Sequence, residues 1–322
     1  MLYRLKMKLR SLAAGKGWFK PFYDIAHDIK GWLSRLKSDK RFALDDYKAS
    51  TGKKLNLENP VTFDDKVWWL KLNNRDPLLT RCSDKYSVRG YVEDCGLGHL
   101  LNELYGVYEK AEDINFDSLP DRFILKTNHG CATNIICRDK AAFDRAAAIK
   151  KLSRALKENY YRKSREWNYK HIKPLIVCER LLEEKGPAGL VDYRFLCFEG
   201  KCKMIFADIE TSNPDGTHYV NARRNVYDAA FHLLPVRFSR ENYDPALVPK
   251  PDNFDEMLRY SEILAKPFAH CRVDFYNIEG NIIFGEITFH HAGGVNRIEP
   301  PEWGETLGSW IDLSSKSIVI LP

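Results

Sequence analysis

The sequence predicts an α+β protein whose amino-terminal region is helical. Helical periodicity dominates residues 42–118, whereas β-branched and aromatic residues dominate most of 179–290. Strands and helices do not alternate as they do in βαβ repeats, so a doubly wound parallel sheet is not expected. Neither G-x-x-x-x-G-K-S/T nor G-x-G-x-x-G occurs, which excludes the P-loop and Rossmann types of nucleotide site.

Helix and strand patterns follow one another in separate blocks. Helices are predicted at 63–72, 85–94, 140–158 and 255–266, with a short turn around Leu100. Two strands separated by a loop are predicted between 119 and 140, and the main antiparallel sheet in 179–290. The basic and aromatic stretch 162–173 suggests a mobile lid.

Length and composition indicate a folded globular protein. A chain of 322 residues can bury a large core and usually divides into more than one lobe. Its 44% hydrophobic and 29% charged residues are ordinary for a globular protein, and no apolar run approaches the ~20 residues of a membrane span. Eight cysteines are scattered without C-x-x-C spacing, so we expect reduced thiols in a cytoplasmic protein.

The positive charge of the chain is concentrated in residues 1–41, which contain 11 Lys or Arg and 3 Asp or Glu. The whole chain has 50 basic and 44 acidic residues, so the remainder carries 39 and 41. Two hypotheses stay open for this segment: helical packing onto the body of the protein, or an amphipathic helix attracted to anionic lipid. A nucleic-acid partner is not expected, because no recognition motif accompanies the basic stretch.

Residues 271–294, CRVDFYNIEGNIIFGEITFHHAGG, predict a β-hairpin. A three-residue loop at 279–281 would place Asp274 opposite Glu286, and Arg272 opposite Thr288. These four side chains would share one face. The opposite, core-forming face is expected to consist of Val273, Phe275, Ile283, Ile287 and Phe289.

Two carboxylates and a guanidinium on one face allow two interpretations. Neighbouring carboxylates repel, and burying a charge is costly unless the charge is paired. Arg272, Asp274 and Glu286 could therefore form a salt-bridge network on a solvated face. Alternatively the carboxylates bind a divalent cation, since two carboxylates with phosphate oxygens are a usual Mg²⁺ site.

The order of these residues resembles the magnesium hairpin of ATP-grasp ligases, which has Arg-x-Asp-Φ followed by Glu-x-Asn. The resemblance implies that Asp274 and Glu286 hold Mg²⁺ between the phosphates of ATP. It also implies that Arg272 stabilises the anionic reaction centre. Thr288 stands where the family usually has Asn; its hydroxyl can still bind the metal or a phosphate oxygen, but it would hold a second metal less well.

Two upstream lysines resemble nucleotide contacts of the same family. Lys126 ends a short apolar strand and precedes the loop NHGCATN (128–134), whose free backbone N–H groups suit phosphate. In the family this lysine contacts the α- and β-phosphates; the alternative is a solvated lysine that protects a sheet edge. Lys85 belongs to an Asp-Lys pair that resembles a second nucleotide contact.

The segment PLIVCERLLEE (174–184) resembles the family's hinge between two subdomains. Glu179 marks this hinge, and the resemblance implies that the backbone of Arg180 and Leu182 binds adenine. Asp192 and Arg194 match the D-x-R opening of the following sheet. Asp192 would face the ribose, and Arg194 the phosphates or the acceptor.

The whole pattern is similar to the TupA-like branch of ATP-grasp proteins, named for teichuronopeptide biosynthesis. NPVTFDDKVWWLKL (59–72), LPDRFILKTNHG (119–130) and VDYRFLCFEGK (191–201) carry the similarity together with the hairpin, over about residues 42–311. It implies an ATP-grasp fold in which two α+β lobes clasp ATP. The expected division is a basic segment (1–41), a helical domain (42–118), a small lobe (119–183) and a large lobe with the hairpin (184–322).

The resemblance implies an ADP-forming carboxylate–amine ligase of bacterial surface polysaccharide biosynthesis. Such an enzyme would join an amino acid to a sugar acid, a hexuronate, through an acyl phosphate, using ATP and Mg²⁺. Its partners would be a free amino acid and a glycan acceptor, either lipid-linked or nucleotide-linked. Whether the sugar or the amino acid supplies the activated carboxylate stays open. The expected location is the cytoplasm or the inner face of the bacterial plasma membrane.

Other function classes remain open. A glycosyltransferase of the same pathway would gain from a D-x-D metal motif, but none follows a strand. The loop NHGCATN departs from the small-residue NHGSGxN form that the family resemblance leads us to expect. A nucleotide-binding scaffold would gain if this departure and Thr288 abolished turnover. His290 follows the hairpin with the parity of Glu286, so it could line the acceptor pocket or deprotonate the amine, or it could be structural.

Overall fold

The computed structural model describes residues 36–184, 186–213 and 221–321. Residues 1–35 of the basic segment lie outside the described residues, so both hypotheses for that segment stay open. In the described ranges, no helix is long and apolar enough to traverse a bilayer. The domain boundaries expected from the sequence stay predictions.

The first part of the described chain is helical, with α1 (Asp39–Thr51), α2 (Phe63–Asn73), α3 (Pro77–Ser83) and α4 (Val88–Asp94). The helix predicted at 63–72 is confirmed, and Thr62 and Asp65 form a capping box at its start. The helix predicted at 85–94 begins three residues later. The Asp84 carboxylate accepts hydrogen bonds from the residues that follow it, which favours a turn there.

A four-stranded antiparallel sheet follows, with β1 (Leu104–Tyr108), β2 (Phe123–Thr127), β3 (Ile135–Cys137) and β4 (Ile176–Arg180) in the order β1-β4-β2-β3. Helix α5 (Arg145–Ala155) packs on this small sheet through the buried Leu152. The helix is shorter than the predicted 140–158. Asp144 accepts a hydrogen bond from the Ala147 N–H and so caps the start.

A short helix, α6 (Tyr160–Ser164), and a 3-10 turn at Trp167–Tyr169 lie between α5 and β4, where the sequence suggests a mobile lid. Glu166 and Asn168 are buried in this segment. Asn168 Nδ2 donates a hydrogen bond of 2.6 Å to Ser83 Oγ of α3. The segment is therefore packed against the helical part of the chain rather than standing open.

Five antiparallel strands form the large sheet: β5 (Asp192–Phe198), β6 (Lys201–Ile209), β7 (Arg223–Tyr227), β9 (His270–Ile278) and β10 (Asn281–Thr288), in the order β10-β9-β5-β6-β7. Two short strands, β8 (Arg237–Phe238) and β11 (Ile298–Glu299), pair with each other. Helix α7 (Phe254–Ala265) matches the prediction at 255–266, and α8 (Glu302–Ser309) follows β11.

The two faces of the large sheet differ in chemistry. Phe195, Val273 and Phe275 point into the core under α7. On the opposite face, Leu196 and Phe206 pack beneath α2 and α8. On that same face, the positions of the strands that lie nearer the hairpin turn carry charged side chains instead. A polar surface thus adjoins an apolar core on one sheet, and the packed core holds the polar strands in place.

The hairpin of β9 and β10 confirms the predicted pairing of Asp274 with Glu286 and of Arg272 with Thr288. The predicted three-residue loop is wrong. Ile278 pairs with Asn281 across a two-residue turn, and the extra residue is a β-bulge at Gly285.

The bulge also changes which residues face the core. Phe284, not the predicted Ile283, pairs with Phe275 and joins the cluster under α7, whereas Ile283 pairs with Tyr276. One extra residue in a strand reverses the alternation on one side of it. The side chains beyond the bulge, including Glu286, therefore keep the predicted face.

Candidate active site

A cleft of about 570 Å³ lies between the small and the large sheet. Lys126 and Glu179 line it from the small sheet, and Asp274 and Glu286 from the large one. The other predicted residues that line it are Lys85, Arg180, Leu182, Asp192 and Arg194. A second cavity, of about 690 Å³, lies against the hairpin turn and α7, but neither Asp274 nor Glu286 lines it. The smaller cleft is therefore the candidate site.

Arg272 holds the acidic residues of the hairpin together. Its Nε and Nη2 donate to the two Asp274 carboxylate oxygens at 2.6 and 2.5 Å. Nη2 also lies 2.9 Å from Glu286 Oε1 and 3.0 Å from Thr288 Oγ1, while Nη1 lies 2.7 Å from His291 Nδ1. Every nitrogen of the buried guanidinium thus has a protein partner. The salt-bridge network considered from the sequence is present, and Arg272 can reach an anionic reaction centre only by exchanging one of these partners.

The two hairpin carboxylates differ in acidity. Burial raises the pKa of Asp274 to about 6, although Arg272 and Arg194 oppose the shift. Partial burial also acts against ionisation of Glu286, but Arg272, Lys85 and Arg194 outweigh it and hold its pKa at about 2. The Glu286 side chain is 43% exposed and reaches into the cleft. Glu286 is therefore charged throughout the physiological range, whereas Asp274 takes up a proton in mildly acidic solution.

The hairpin offers a fitting but incomplete set of ligands for Mg²⁺. Asp274 and Glu286 supply hard carboxylate oxygens, and Thr288 Oγ1 lies beside them, 3.1 Å from Glu286 Oε1. Among the described residues, no group of three or more acidic, histidine or cysteine side chains could hold a metal. A Mg²⁺ ion at this place would take its remaining ligands from phosphate and water, which is its usual mode of binding.

Two lysines face the hairpin carboxylates from the opposite side of the cleft. Lys126 Nζ lies 2.7 Å from Glu179 Oε2, so the predicted hinge glutamate holds this ammonium group in the cleft. Lys85 Nζ donates a hydrogen bond of 2.6 Å to the Gly130 carbonyl oxygen of the predicted phosphate loop. Burial lowers the pKa of Lys85, although Glu286 opposes the shift. The two ammonium groups can interact with a polyphosphate that lies on the hairpin.

The loop after Lys126 is anchored by Asn128. Its side-chain amide donates to Asp84 Oδ1 at 2.8 Å, and its oxygen accepts from the Leu175 N–H at 2.7 Å. Thr133 Oγ1 accepts a hydrogen bond of 3.1 Å from the Thr127 N–H. Asn128 is therefore a structural residue that joins the loop to the Asp-Lys pair seen in the sequence.

The predicted adenine contacts at the hinge are not equivalent. The Arg180 N–H donates to the Glu103 carbonyl oxygen at 3.0 Å, and the Arg180 carbonyl accepts from Asn102 Nδ2 at 2.8 Å. In the described part of the chain, no hydrogen bond engages the backbone of Leu182. Leu182 can therefore offer both backbone groups to a base, whereas Arg180 can offer only the second lone pair of its carbonyl oxygen.

Arg194 connects the hairpin to a group of residues that sequence reasoning missed. Its Nη2 lies 3.2 Å from Asp192 Oδ2, and its Nε lies 3.1 Å from Asp208 Oδ2 and 3.9 Å from Asp274 Oδ2. Asp208 is fully buried on β6. An aspartate within the apolar run KMIFADI was a signal available in the sequence, because buried carboxylates need partners. Its partners, Arg224 and Arg240, carried no such signal.

His290 does not lie where the sequence predicted. Strand β10 ends at Thr288, so the alternation that suggested a shared face with Glu286 does not extend to His290. The side chain is buried, does not line the cleft, and its Nδ1 lies 3.5 Å from Glu166 Oε2. The neighbouring His291 contacts the hairpin cluster instead, through Arg272. Nothing in this arrangement supports His290 as the base for the amine.

A family model, TupA-like ATPgrasp, matches residues 65–312. Among solved structures, the D-alanine–D-alanine ligase from Bacillus anthracis is 18% identical, with 66% of this chain and 59% of that chain covered and a TM-score of 0.39. The corresponding ligase from Helicobacter pylori is 16% identical, with 77% and 69% covered and a TM-score of 0.42. D-cycloserine synthetase DcsG is 13% identical, with 67% and 65% covered and a TM-score of 0.39.

The chain spans about three fifths of the length of the Bacillus anthracis ligase that it matches. No curated protein sequence matches it.

Proposed function

Because the chain belongs to the TupA-like ATP-grasp family, we propose that it is an ATP-dependent carboxylate–amine ligase. One observation carries this proposal. Asp274 and Glu286 are paired across a hairpin, and Lys126 and Lys85 face them from the other side of one cleft. Carboxylates on one wall and ammonium groups on the other suit a magnesium-bound triphosphate.

The proposed reaction has two steps. An oxygen of the acceptor carboxylate attacks the γ-phosphorus of ATP, the bond to ADP breaks, and an acyl phosphate forms. The nitrogen of an amine then attacks the acyl carbon, the bond to phosphate breaks, and the amine loses a proton. The products are an amide, ADP and phosphate, without a covalent enzyme intermediate.

The residues of the cleft would support these steps by position and charge. Lys126, Lys85 and Arg194 offset the charge that builds on the phosphates, in a cleft where such interactions are stronger than in water. Arg272 keeps Asp274 and Glu286 side by side through two contacts with Asp274 and one with Glu286. Mg²⁺ bound to this pair would supply further charge neutralisation at the phosphate oxygens.

We further propose a hexuronate of a bacterial surface glycan as the acid and a free amino acid as the amine. The family resemblance supports this substrate class, and the arginines beside the hairpin suit an acidic sugar. The reverse arrangement, in which an amino acid is activated and passed to an amino sugar, uses the same residues.

The test is a reconstitution with each component left out in turn. ADP is expected only when ATP, Mg²⁺, a uronic acid and an amine are all present, and mass spectrometry of the product should show an amide. ATP binding without turnover across a broad panel of acids and amines would contradict the proposal and favour a nucleotide-binding scaffold. Consumption of a nucleotide-sugar donor would favour a glycosyltransferase.

We also propose that residues 1–41 hold the protein at an anionic membrane surface, because this segment carries the excess positive charge. Deletion of residues 1–35, which leaves α1 and its cap intact, should release the protein from vesicles that contain anionic lipid, with soluble-substrate turnover kept. Unfolding of the deletion variant would instead show that the segment packs as part of the body.

A further inference from the structure

Asp208 is surrounded by three arginines on the cleft side of the large sheet. Arg224 binds both of its carboxylate oxygens, at 2.6 and 2.7 Å. Arg240 Nη1 donates to Oδ2 at 2.7 Å, and Arg194 Nε lies 3.1 Å from the same oxygen. Asp208 is fully buried, so its single negative charge is shared by three guanidinium groups in a place that water does not reach.

Arg240 is the least completely paired of these arginines, because its one carboxylate partner is shared with the other two. Asp192 is the only other acidic group within 3.5 Å of the three arginines in the described ranges, and it binds Arg194. Asp274 is 3.9 Å from Arg194 and is already held by two nitrogens of Arg272. Together with Arg272 and Glu286, the connected cluster has four arginines and four carboxylates. Arg240 nevertheless has only a share in Asp208, and an anionic ligand would complete its pairing.

Arg240 is the member of this cluster that can accept such a ligand. Arg224 is buried, stacks on the Phe206 ring at 4.1 Å and donates to the Phe238 carbonyl oxygen. The Arg240 side chain is 26% exposed, and Nη1 is its only nitrogen with a hydrogen bond among the described residues. Its Nε and Nη2 can therefore form the paired hydrogen bonds with which a guanidinium binds a carboxylate.

Crowding of like charges at Arg240 supports the same conclusion. Burial lowers its pKa to about 10; Asp208 opposes this shift, and Arg224 and Arg194 add to it. The group is still fully protonated at neutral pH. A bound anion would relieve the repulsion from its two neighbours, which adds to the affinity for that anion.

We propose that Arg240, supported by Asp208 and Arg194, is the subsite that binds the carboxylate of the acid substrate. Arg240 does not itself line the cleft. It is connected to the cleft through Asp208 and Arg194, and Arg194 lines the cleft 3.9 Å from Asp274. The two oxygens of a carboxylate match the two free donors, Nε and Nη2, of Arg240. That this acid is the reacting group rests on the proposed function; that an anion binds at Arg240 does not.

The test measures binding of D-glucuronate by isothermal titration calorimetry without ATP, with D-glucose as the uncharged probe. The wild type should bind glucuronate and not glucose. Arg240→Gln should weaken glucuronate binding by about 10- to 100-fold, the usual loss for a paired charged hydrogen bond. Arg240→Lys, which keeps the charge but not the planar pair of donors, should lose affinity by a smaller factor.

Arg237→Gln is the matched control. Arg237 belongs to the adjacent strand β8, and its ion pairs are with Glu241 and Glu299 rather than with Asp208. This variant should bind glucuronate like the wild type. Thermal unfolding shows whether Arg240→Gln is folded. If it is not folded, the glucuronate affinity of Arg240→Lys is compared with that of the wild type instead.

The subsite is overturned if the wild type does not bind glucuronate, or if a folded Arg240→Gln binds it with unchanged affinity. It is also overturned if inorganic phosphate competes with glucuronate and binds with the higher affinity. Failure of the ligase proposal gives a different result: glucuronate binds through Arg240, but no ADP forms with any amine. If ADP forms and the KM for the acid is unchanged in Arg240→Gln, the ligase stands and the subsite is wrong.

Discussion

The bulge at Gly285 makes a sharp prediction about the spacing of the two hairpin carboxylates. A methyl group at this position would lie 3.0 Å from the Asp274 carbonyl oxygen and 3.4 Å from its Cβ. Ordinary carbon contacts start near 3.4 Å, so the methyl group is about 0.4 Å too close. The obstacle is backbone of the partner strand, which cannot rotate away. Gly285→Ala should therefore push β10 away from β9 beside Glu286.

The expected size of the effect follows from this overlap. A misplacement of 1 Å at a catalytic group costs about 100-fold in rate, so a shift of about 0.4 Å should cost about sixfold. Stability should change less. Overpacking costs about 1–3 kcal/mol, and replacement of a glycine gives back about 0.4–1 kcal/mol, so a net loss of about 1 kcal/mol is expected.

The assay is ADP release with ATP, Mg²⁺, a hexuronate and an amine, together with calorimetric titration of ATP in the presence of Mg²⁺. Gly304→Ala in α8 is the matched control, because nothing lies within 4 Å of its added methyl group. The control should keep full turnover and gain about 1 kcal/mol of stability from the better helix former. If Gly285→Ala also keeps full turnover and ATP affinity, the bulge does not set the carboxylate spacing.

Three further changes test the site. Asp274→Asn should lose turnover by at least about 100-fold while staying folded, since it removes one of two hairpin carboxylates; near-normal ADP release would exclude it as a ligand. In the wild type, Mg²⁺-dependent ATP binding should weaken by about tenfold per pH unit below about pH 6, because a proton competes for this carboxyl. The raised pKa of Asp274 means that its protonation stabilises the fold below about pH 4 and that this contribution is lost as the pH rises through 6. Thermal unfolding of the wild type and of Asp274→Asn from pH 4 to 7 measures this contribution. Melting temperatures that change in parallel with pH in the two proteins would contradict it. Lys126→Met should raise the Kd for ATP, measured by calorimetry, by about tenfold, and Lys126→Arg is the charge-preserving control. Equal Kd values for the wild type and both variants would show that Lys126 does not belong to the nucleotide site. His290→Gln should change the rate of ADP release by less than about twofold, because His290 lies outside the cleft. A tenfold loss in a folded variant would show that His290 does contribute to the reaction.

The central pairing of the site could be predicted from the sequence because it is local. Side chains in a strand alternate strictly, so the residues flanking one turn fix which side chains are opposite each other. Asp274 and Glu286 are twelve positions apart, and their pairing followed from that alternation. The alternation did not predict whether the unpaired residue of the hairpin lies in the loop or in a bulge. A bulge at Gly285 and a three-residue loop give the same pairing at Asp274 and differ only in the pairs nearer the turn.

The alternation also shows where sequence reasoning fails. It was extended to His290, two residues past the end of β10, where the backbone no longer alternates. The role of Arg272 was assigned without its partners, and the structure shows that all its nitrogens are engaged. Such saturation depends on side chains from several elements, including His291, and cannot be read from one motif.

The sequence by itself determined the α+β class and the hairpin with its paired carboxylates, because these depend on short periodic patterns; Lys126 and Lys85 were indicated only by the family resemblance. Only the tertiary structure decided which residues surround the hairpin. Asp208 and Arg224 are sixteen positions apart, and Arg240 is sixteen further on, yet their side chains meet because β6, β7 and the chain after β8 are packed together. Contacts of this kind depend on how separate strands are ordered and covered, and no local pattern of residues encodes that order.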